Sequence, residues 1–179
     1  MPSLQIPVIS HHVLKREQAE QILDSHAREE IDHWVAKYPF EQRRSAVLAA
    51  LRAAQHQNKG FLTKELMDAV AAYLDLPEIW VYEAASFYSM YETEPVGRHS
   101  ISVCTNISCM LRGSDSIVAH IENKLGIKTG ESTADGRCFL KTEEECLAAC
   151  VGAPMMMVDH VYYEYLTPQK VDEIIDGLE

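Results

Sequence analysis

The stretch His99-Ser-Ile-Ser-Val-Cys-Thr-Asn-Ile-Ser-Cys109 decides how the chain reads. Its first half alternates polar and apolar residues around Ile101 and Val103, the period of a half-buried strand. It then gives way to the small, mostly polar run Thr105 to Ser108, set between two cysteines. After a gap of 36 residues (110–145) comes Cys146-Leu-Ala-Ala-Cys150. The two pairs have the spacings C-x4-C and C-x3-C. Each lies just past a predicted strand or at a turn, where backbone can wrap a metal. Short spacing brings two thiolates to one metal at little loop-closure cost. The second pair can then serve a second metal.

Four readings compete for these cysteines. They are a [2Fe–2S] cluster on four thiolates, a structural zinc site, disulfides, and small buried thiols in a core. Spacing alone leaves zinc a serious rival to iron–sulfur. The neighbours favour iron–sulfur. Zinc ribbons mostly use tight two-residue gaps, and the gaps here are longer. Thr105, Asn106 and Ser108 can aim backbone N–H groups at sulfur, and Ala148 and Ala149 let backbone approach closely. The spacing is not that of plant-type ferredoxins, and the thioredoxin-type C-x-x-C needed for dithiol exchange does not occur. Cys138 sits in a predicted strand outside both pairs and is expected to be a small buried thiol. His99 is expected to be a surface or strand histidine.

Beyond the second pair, Met155 to Val158 and Val161 to Tyr165 are apolar runs split by Asp159-His160, a hairpin with a two-residue turn. Ala153-Pro154 precedes them. Trans is the default for that bond, because only about 5–6% of such bonds are cis. Thr167-Pro168 opens a last helix carrying Val171, Ile174, Ile175 and Leu178 on one face. Between the pairs, Ser114 is placed as the cap of a helix with Ile117, Val118, Ile121 and Leu125, closed by Gly126. A short strand is expected around Arg137 to Thr142. The order is β-α-β-β-β-α, which suits helices packed on a mixed sheet.

Upstream, the pattern is helical. Lys15 to Lys37 reads as one helix ended by Pro39, and Glu41 to Gln57 as a second, stopped by Asn58-Lys59-Gly60. Thr63 caps a third, with Leu66, Met67, Val70 and Leu74 on one face. Pro77 suits the first turn of a fourth, running towards Ala85. Phe87, Tyr88, Met90 and Tyr91 are expected to fill a seam after the bundle; the sharper reading is a partner-facing patch. Glu92 to Gly97 is a polar linker. The fold class is therefore α+β, with a helical bundle over residues 1–91 and an α/β domain over 92–179.

The chain has 179 residues and a formal net charge of −11. That acidity disfavours phosphate backbones, so no nucleic-acid partner is expected. No apolar run reaches the roughly 18–20 residues of a membrane span, so no direct membrane insertion is expected. Residues 1–10 carry neither a secretory nor a transit pattern. A reducing, cytoplasmic location is expected, where clustered cysteines are metal or redox groups rather than disulfides. There is no G-x-G-x-x-G after a strand and no P-loop, so nucleotide chemistry is expected on another chain.

Several strings, in order, carry a resemblance. They are Arg44-Ser-Ala-Val-Leu48, Ala85-Ser-Phe-Tyr-Ser-Met90, Pro95-Val-Gly97, Val103-Cys-Thr-Asn-Ile-Ser-Cys-Met110, Arg112-Gly-Ser-Asp115, Glu145-Cys-Leu-Ala-Ala-Cys150, Ala153-Pro-Met155 and Leu166-Thr167. With both cysteine spacings, the chain resembles the NuoE family, the small [2Fe–2S] subunit of the NADH dehydrogenase module of respiratory complex I. The segment before Lys15 is somewhat longer than the family pattern. The resemblance implies a thioredoxin-like C-terminal domain and one [2Fe–2S] cluster held by Cys104, Cys109, Cys146 and Cys150. It implies an oxidoreductase subunit with no complete active site of its own. It also implies a larger partner subunit that binds FMN, NADH and a [4Fe–4S] cluster, and a place on the cytoplasmic face of the inner membrane within complex I. The equivalent diaphorase subunit of an NAD-linked hydrogenase or formate dehydrogenase is the nearest alternative. A zinc-stabilised adaptor is the alternative from another class.

Overall fold

The computed structural model describes residues 13–141 and 146–179. The chain divides into two compact units, Met1–Pro95 and Val96–Glu179.

In the first unit, the segment read as one helix from Lys15 is two, α1 (Arg16–Ile22) and α2 (Ser25–Val35). Asp24 makes the break. Its backbone is extended, and its carboxylate accepts the Ala27 N–H at 2.7 Å. That local bond competes with continued helix. Glu41 to Gln57 is likewise not one α-helix. Phe40–Ala46 is a 3-10 stretch, and α3 covers Val47–Gln57. The tighter turn leads into the helix, a common use of 3-10 geometry.

Gly60 takes positive φ past α3, as its sequence suggests, but the other left-handed residue is Lys59 and not Asn58, which stays at φ −104°. Thr63 starts α4 (Lys64–Leu74), its hydroxyl accepting the Leu66 N–H at 3.2 Å. Pro77 occupies the cap position of α5 (Glu78–Phe87) rather than its first turn. Ala50, Ala53 and Ala54 of α3 and Ala69, Ala71 and Ala72 of α4 are buried beside Leu51 and Val70. Such small side chains let helix axes approach closely. Asp68 is buried in α4, where its carboxylate accepts from Lys64 Nζ at 2.9 Å and from the Tyr82 hydroxyl.

Of the four residues assigned to a seam, only Tyr91 is buried. Its hydroxyl donates to the Leu48 carbonyl at 2.7 Å, and burial pushes its pKa up to about 12. Phe87, Tyr88 and Met90 are exposed. The reason is rotational. Val81 and Ala85 define the buried face of α5, and Phe87, two residues on, points away from it. Buried Gln55 fixes the chain that follows: its Nε2 donates to Met90 O at 3.1 Å, and its Oε1 accepts from Glu92 N at 2.9 Å.

The second unit is built on a five-stranded sheet ordered β2-β3-β1-β4-β5. The strands are β1 (His99–Val103), β2 (Glu131–Ser132), β3 (Cys138–Leu140), β4 (Met156–Val158) and β5 (Val161–Tyr163). β1 is central, parallel to β3 and antiparallel to β4. The outer pairs are antiparallel, so the sheet is mixed, as expected. Three helices complete the unit, α6 (Ile107–Leu111), α7 (Ser114–Leu125) and α8 (Pro168–Asp176). Ile101, Leu140, Met156 and Val158 share a core with Ile117, Ile121, Val171 and Ile175.

Three elements among the described residues, β2, α6 and a 3-10 turn at Cys150–Gly152, are additions to the expected order. They have two, five and three residues, too few to show a period. Ser114 is not the cap of α7. Gly113 is, at φ +90°, a conformation glycine adopts freely. Thr142, the expected end of β3, lies outside the described residues, as does Glu145. The β4–β5 turn has Asp159 at φ +48° and His160 at φ +69°, both positive as a two-residue hairpin requires. Thr167 caps α8, accepting the Lys170 N–H at 3.2 Å. Ala153–Pro154 is cis, not the default trans. Tertiary bonds that the sequence does not display surround it: Cys104 N donates to Met155 O at 3.2 Å, and Leu166 N to Pro154 O at 2.9 Å. Gly97 lies so close to β3 that a Cβ there would sit 2.4 Å from the Cys138 carbonyl carbon.

Candidate metal centre

The end of β1 delivers Cys104 into the interior. The chain then turns through Asn106, whose side chain accepts the Ile107 N–H at the start of α6. One turn of α6 puts Cys109 beside it, also buried. Cys146 and Cys150 approach on a separate segment and are exposed. Their sulfurs lie 3.9 Å apart, far beyond the roughly 2.05 Å of a disulfide. All five cysteines are free thiols. The structure thus brings the four predicted residues together. They line one cavity of about 70 Å³ with Asn106, Ile107 and Ser108.

Cys138 is not part of it. It is fully buried in β3, and burial pushes its thiol pKa up. His99 is not part of it either. Its ring bonds Asp159 Oδ2 at 2.6 Å and the Glu179 carbonyl at 2.8 Å.

The thiols differ in acidity. Burial pushes Cys104 up, but the Leu147 and Asn106 N–H groups and the Cys109 and Cys146 thiols donate to its sulfur and bring it below the ordinary value. Cys109 is pushed up to about 11, first by burial and then by the neighbouring Cys104, against an opposing bond from the Met155 N–H. At Cys146 the Ala148 N–H, 3.3 Å away, lowers the pKa, but Cys150 and desolvation leave it raised. Thiols bind metal as thiolates, so metal binding at such a site releases their protons.

This set fits an iron–sulfur cluster. Every donor is a thiol, the described residues that line the cavity carry no charge, and backbone N–H groups of residues 106, 147, 148 and 155 reach the sulfurs. Among the described residues, no group of three or more His, Cys, Asp or Glu side chains is already drawn together as metal ligands. Two of the thiols come from one segment, Cys104 and Cys109, and two from another, Cys146 and Cys150. The Leu147 and Met155 amides escape a reading of the sequence, because both reach the site through tertiary folding.

A family model described as thioredoxin-like [2Fe–2S] ferredoxin matches residues 31–179. The chain belongs to this family. Its cofactor is one [2Fe–2S] cluster, and the α+β expectation with a thioredoxin-like domain is borne out. A Rickettsia bellii protein named as a subunit of NADH-quinone oxidoreductase is 47% identical over 144 residues, covering 80% of this chain and 86% of that protein. A Rhizobium meliloti protein, likewise named as an NADH-quinone oxidoreductase subunit, is 43% identical over 150 residues, covering 84% of this chain and 87% of that one. The resemblance drawn from the residues is therefore borne out. Among solved structures, an NAD+-reducing [NiFe]-hydrogenase in the air-oxidized state matches with a TM-score of 0.61 at 22% identity. The match covers 72% of this chain and only 22% of the hydrogenase chain. It is a likeness of fold.

Proposed function

We propose that the chain is an electron-transfer subunit of an NADH:quinone oxidoreductase of the complex I type. It holds its [2Fe–2S] cluster on Cys104, Cys109, Cys146 and Cys150. The cluster exchanges single electrons with FMN on a larger partner subunit, which also binds NADH and a [4Fe–4S] cluster. The observation that carries this reading is the meeting of four thiols around one cavity, in a chain 47% identical to a protein named as part of NADH-quinone oxidoreductase.

When bound, an iron–sulfur cluster takes up and gives back electrons at a potential set by its surroundings. The rest is the work of this chain. Four thiolates hold the irons. Backbone N–H groups donate to the sulfurs and offset their negative charge. Buried Cys104 and Cys109 close one side to water, while exposed Cys146 and Cys150 leave the other side accessible to a redox partner. No helix among the described residues is long and apolar enough to cross a membrane. A peripheral place on the cytoplasmic face of the inner membrane, held through the partner subunits, accords with that.

Purified chain should contain two irons and two sulfides and give a reduced-cluster EPR signal with dithionite. One zinc, no sulfide and no visible band would sink the proposal. Because the hydrogenase shares the fold, the proteins that co-purify with the chain decide between complex I and a hydrogenase or formate dehydrogenase module.

A further inference from the structure

One residue beside the exposed thiols holds an uncommon backbone conformation. Ala148 has φ +60°, in the left-handed region that any residue with a Cβ resists. Its neighbour Ala149, at φ −108°, is outside that region. Glycine would take the conformation without cost, yet Cys146-Leu-Ala-Ala-Cys150 contains none. Strain of this kind persists only where the surroundings over-determine it.

The conformation has a geometric result. The N–H of Ala148 donates to Cys146 Sγ at 3.3 Å. Cys104 takes one donor from the same loop, the Leu147 amide, and another from Asn106, while Cys109 takes its donor from better-anchored chain. Met155, whose amide serves Cys109, is fully buried and is tied to Cys104 through its own carbonyl. Cys146 is exposed, so water competes for its sulfur. A donor fixed by the backbone at that sulfur has to be supplied by the loop itself, and the amide of residue 148 is the one in place.

Resting on the four-thiolate reading above, we propose that Ala148 is a positioning residue for the cluster. Its left-handed backbone aims the 148 amide at the Cys146 sulfur. That bond raises the reduction potential of the bound cluster and slows loss of iron. The sulfur carries more negative charge in the reduced state, so the N–H···S bond is stronger there and favours reduction. The conformation is what matters, and the methyl group is incidental, because Ala148 is exposed.

The test is a series at one position in the whole chain. Ala148→Gly and Ala148→Asn both tolerate positive φ, whereas the β-branched Ala148→Val does not. Potentials are read by EPR-monitored titration, and iron release by transfer to a chelator. The glycine and asparagine variants are expected to match the parent chain in both. The valine variant is expected to have a more negative potential and to lose iron about tenfold faster, the scale for removing an outer hydrogen-bond partner of a metal site. Failure of the valine variant alone to load a cluster also supports the proposal. It is overturned if valine matches the parent, if glycine shifts the potential as far as valine does, or if all three variants fail to load while the parent loads. If the parent chain itself carries no iron and sulfide, the four-thiolate reading has failed, and the proposal falls with it.

Discussion

The helical unit and the cysteine-bearing unit treat their buried polar groups in opposite ways. In the first, polar groups find partners within the unit. Asp68 has Lys64 and Tyr82, Gln55 has the backbone of Met90 and Glu92, and Tyr91 has Leu48. In the second, a satellite cluster of Cys104, Cys109, Leu147, Ala153 and Met155 is organised around thiols that bond to one another and to the amides of Asn106, Leu147 and Met155. A buried group left half satisfied is costly unless something completes it. In one unit the polypeptide itself satisfies these buried polar groups. The other is completed by its cofactor.

The sharpest way to break that contrast is to remove a ligand. Cys104→Ser or Cys150→Ala should abolish normal cluster assembly, read as iron, sulfide and EPR signal, while Cys138→Ala keeps the spectrum. A cluster lost with Cys138 would show that the pairing is wrong. Stripping the cluster by chelation under reducing conditions should next speed amide exchange at residues 104–109 and 146–155. Exchange in α3 and α4 should barely change, and equal loosening of both units would end the contrast. Gly97→Ala should then destabilise the second unit by about 1–3 kcal/mol, as forced overpacking does, because the new Cβ meets backbone rather than a movable side chain. Denaturant midpoints test this. In the helical unit, Tyr91→Phe removes a buried hydrogen bond and should cost about 1 kcal/mol with no change in the cluster spectrum.

The smallest expected effect depends on pH. Hydrogen bonds that the His99 ring donates to the Asp159 carboxylate and the Glu179 carbonyl raise its pKa in the folded chain. A raised pKa means that the folded state binds the proton more tightly. The stabilisation is full below the ordinary histidine value and fades as pH climbs through the raised one. His99→Gln should therefore cost up to about 1 kcal/mol near pH 5.5 and almost nothing near pH 8.5. A larger loss at the higher pH would assign His99 a packing role instead.

What the sequence displays is local chemistry. The Thr63 and Thr167 caps, the Asp159-His160 turn, the stop at Gly126 and both cysteine pairs each depend on a few adjacent residues, and each is legible. Features decided by competition or by distant contacts are harder to read. The break at Asp24 sits inside a good apolar period. The outward turn of Phe87 depends on which face of α5 is buried. The amides of Leu147 and Met155, and the cis Ala153–Pro154 bond, depend on how the second cysteine segment lies against β1. The ligand types are visible in the sequence. The donors around them appear only in the fold.

The open position of Cys146 and Cys150 also governs how the protein ages. Two free thiols 3.9 Å apart at the surface need only a small movement to reach bonding distance. A chain that has lost its iron in air will close this pair before the sheltered one. Repair then has to begin with a reductant, ahead of any iron or sulfide. The side proposed to face a redox partner is the side where damage enters.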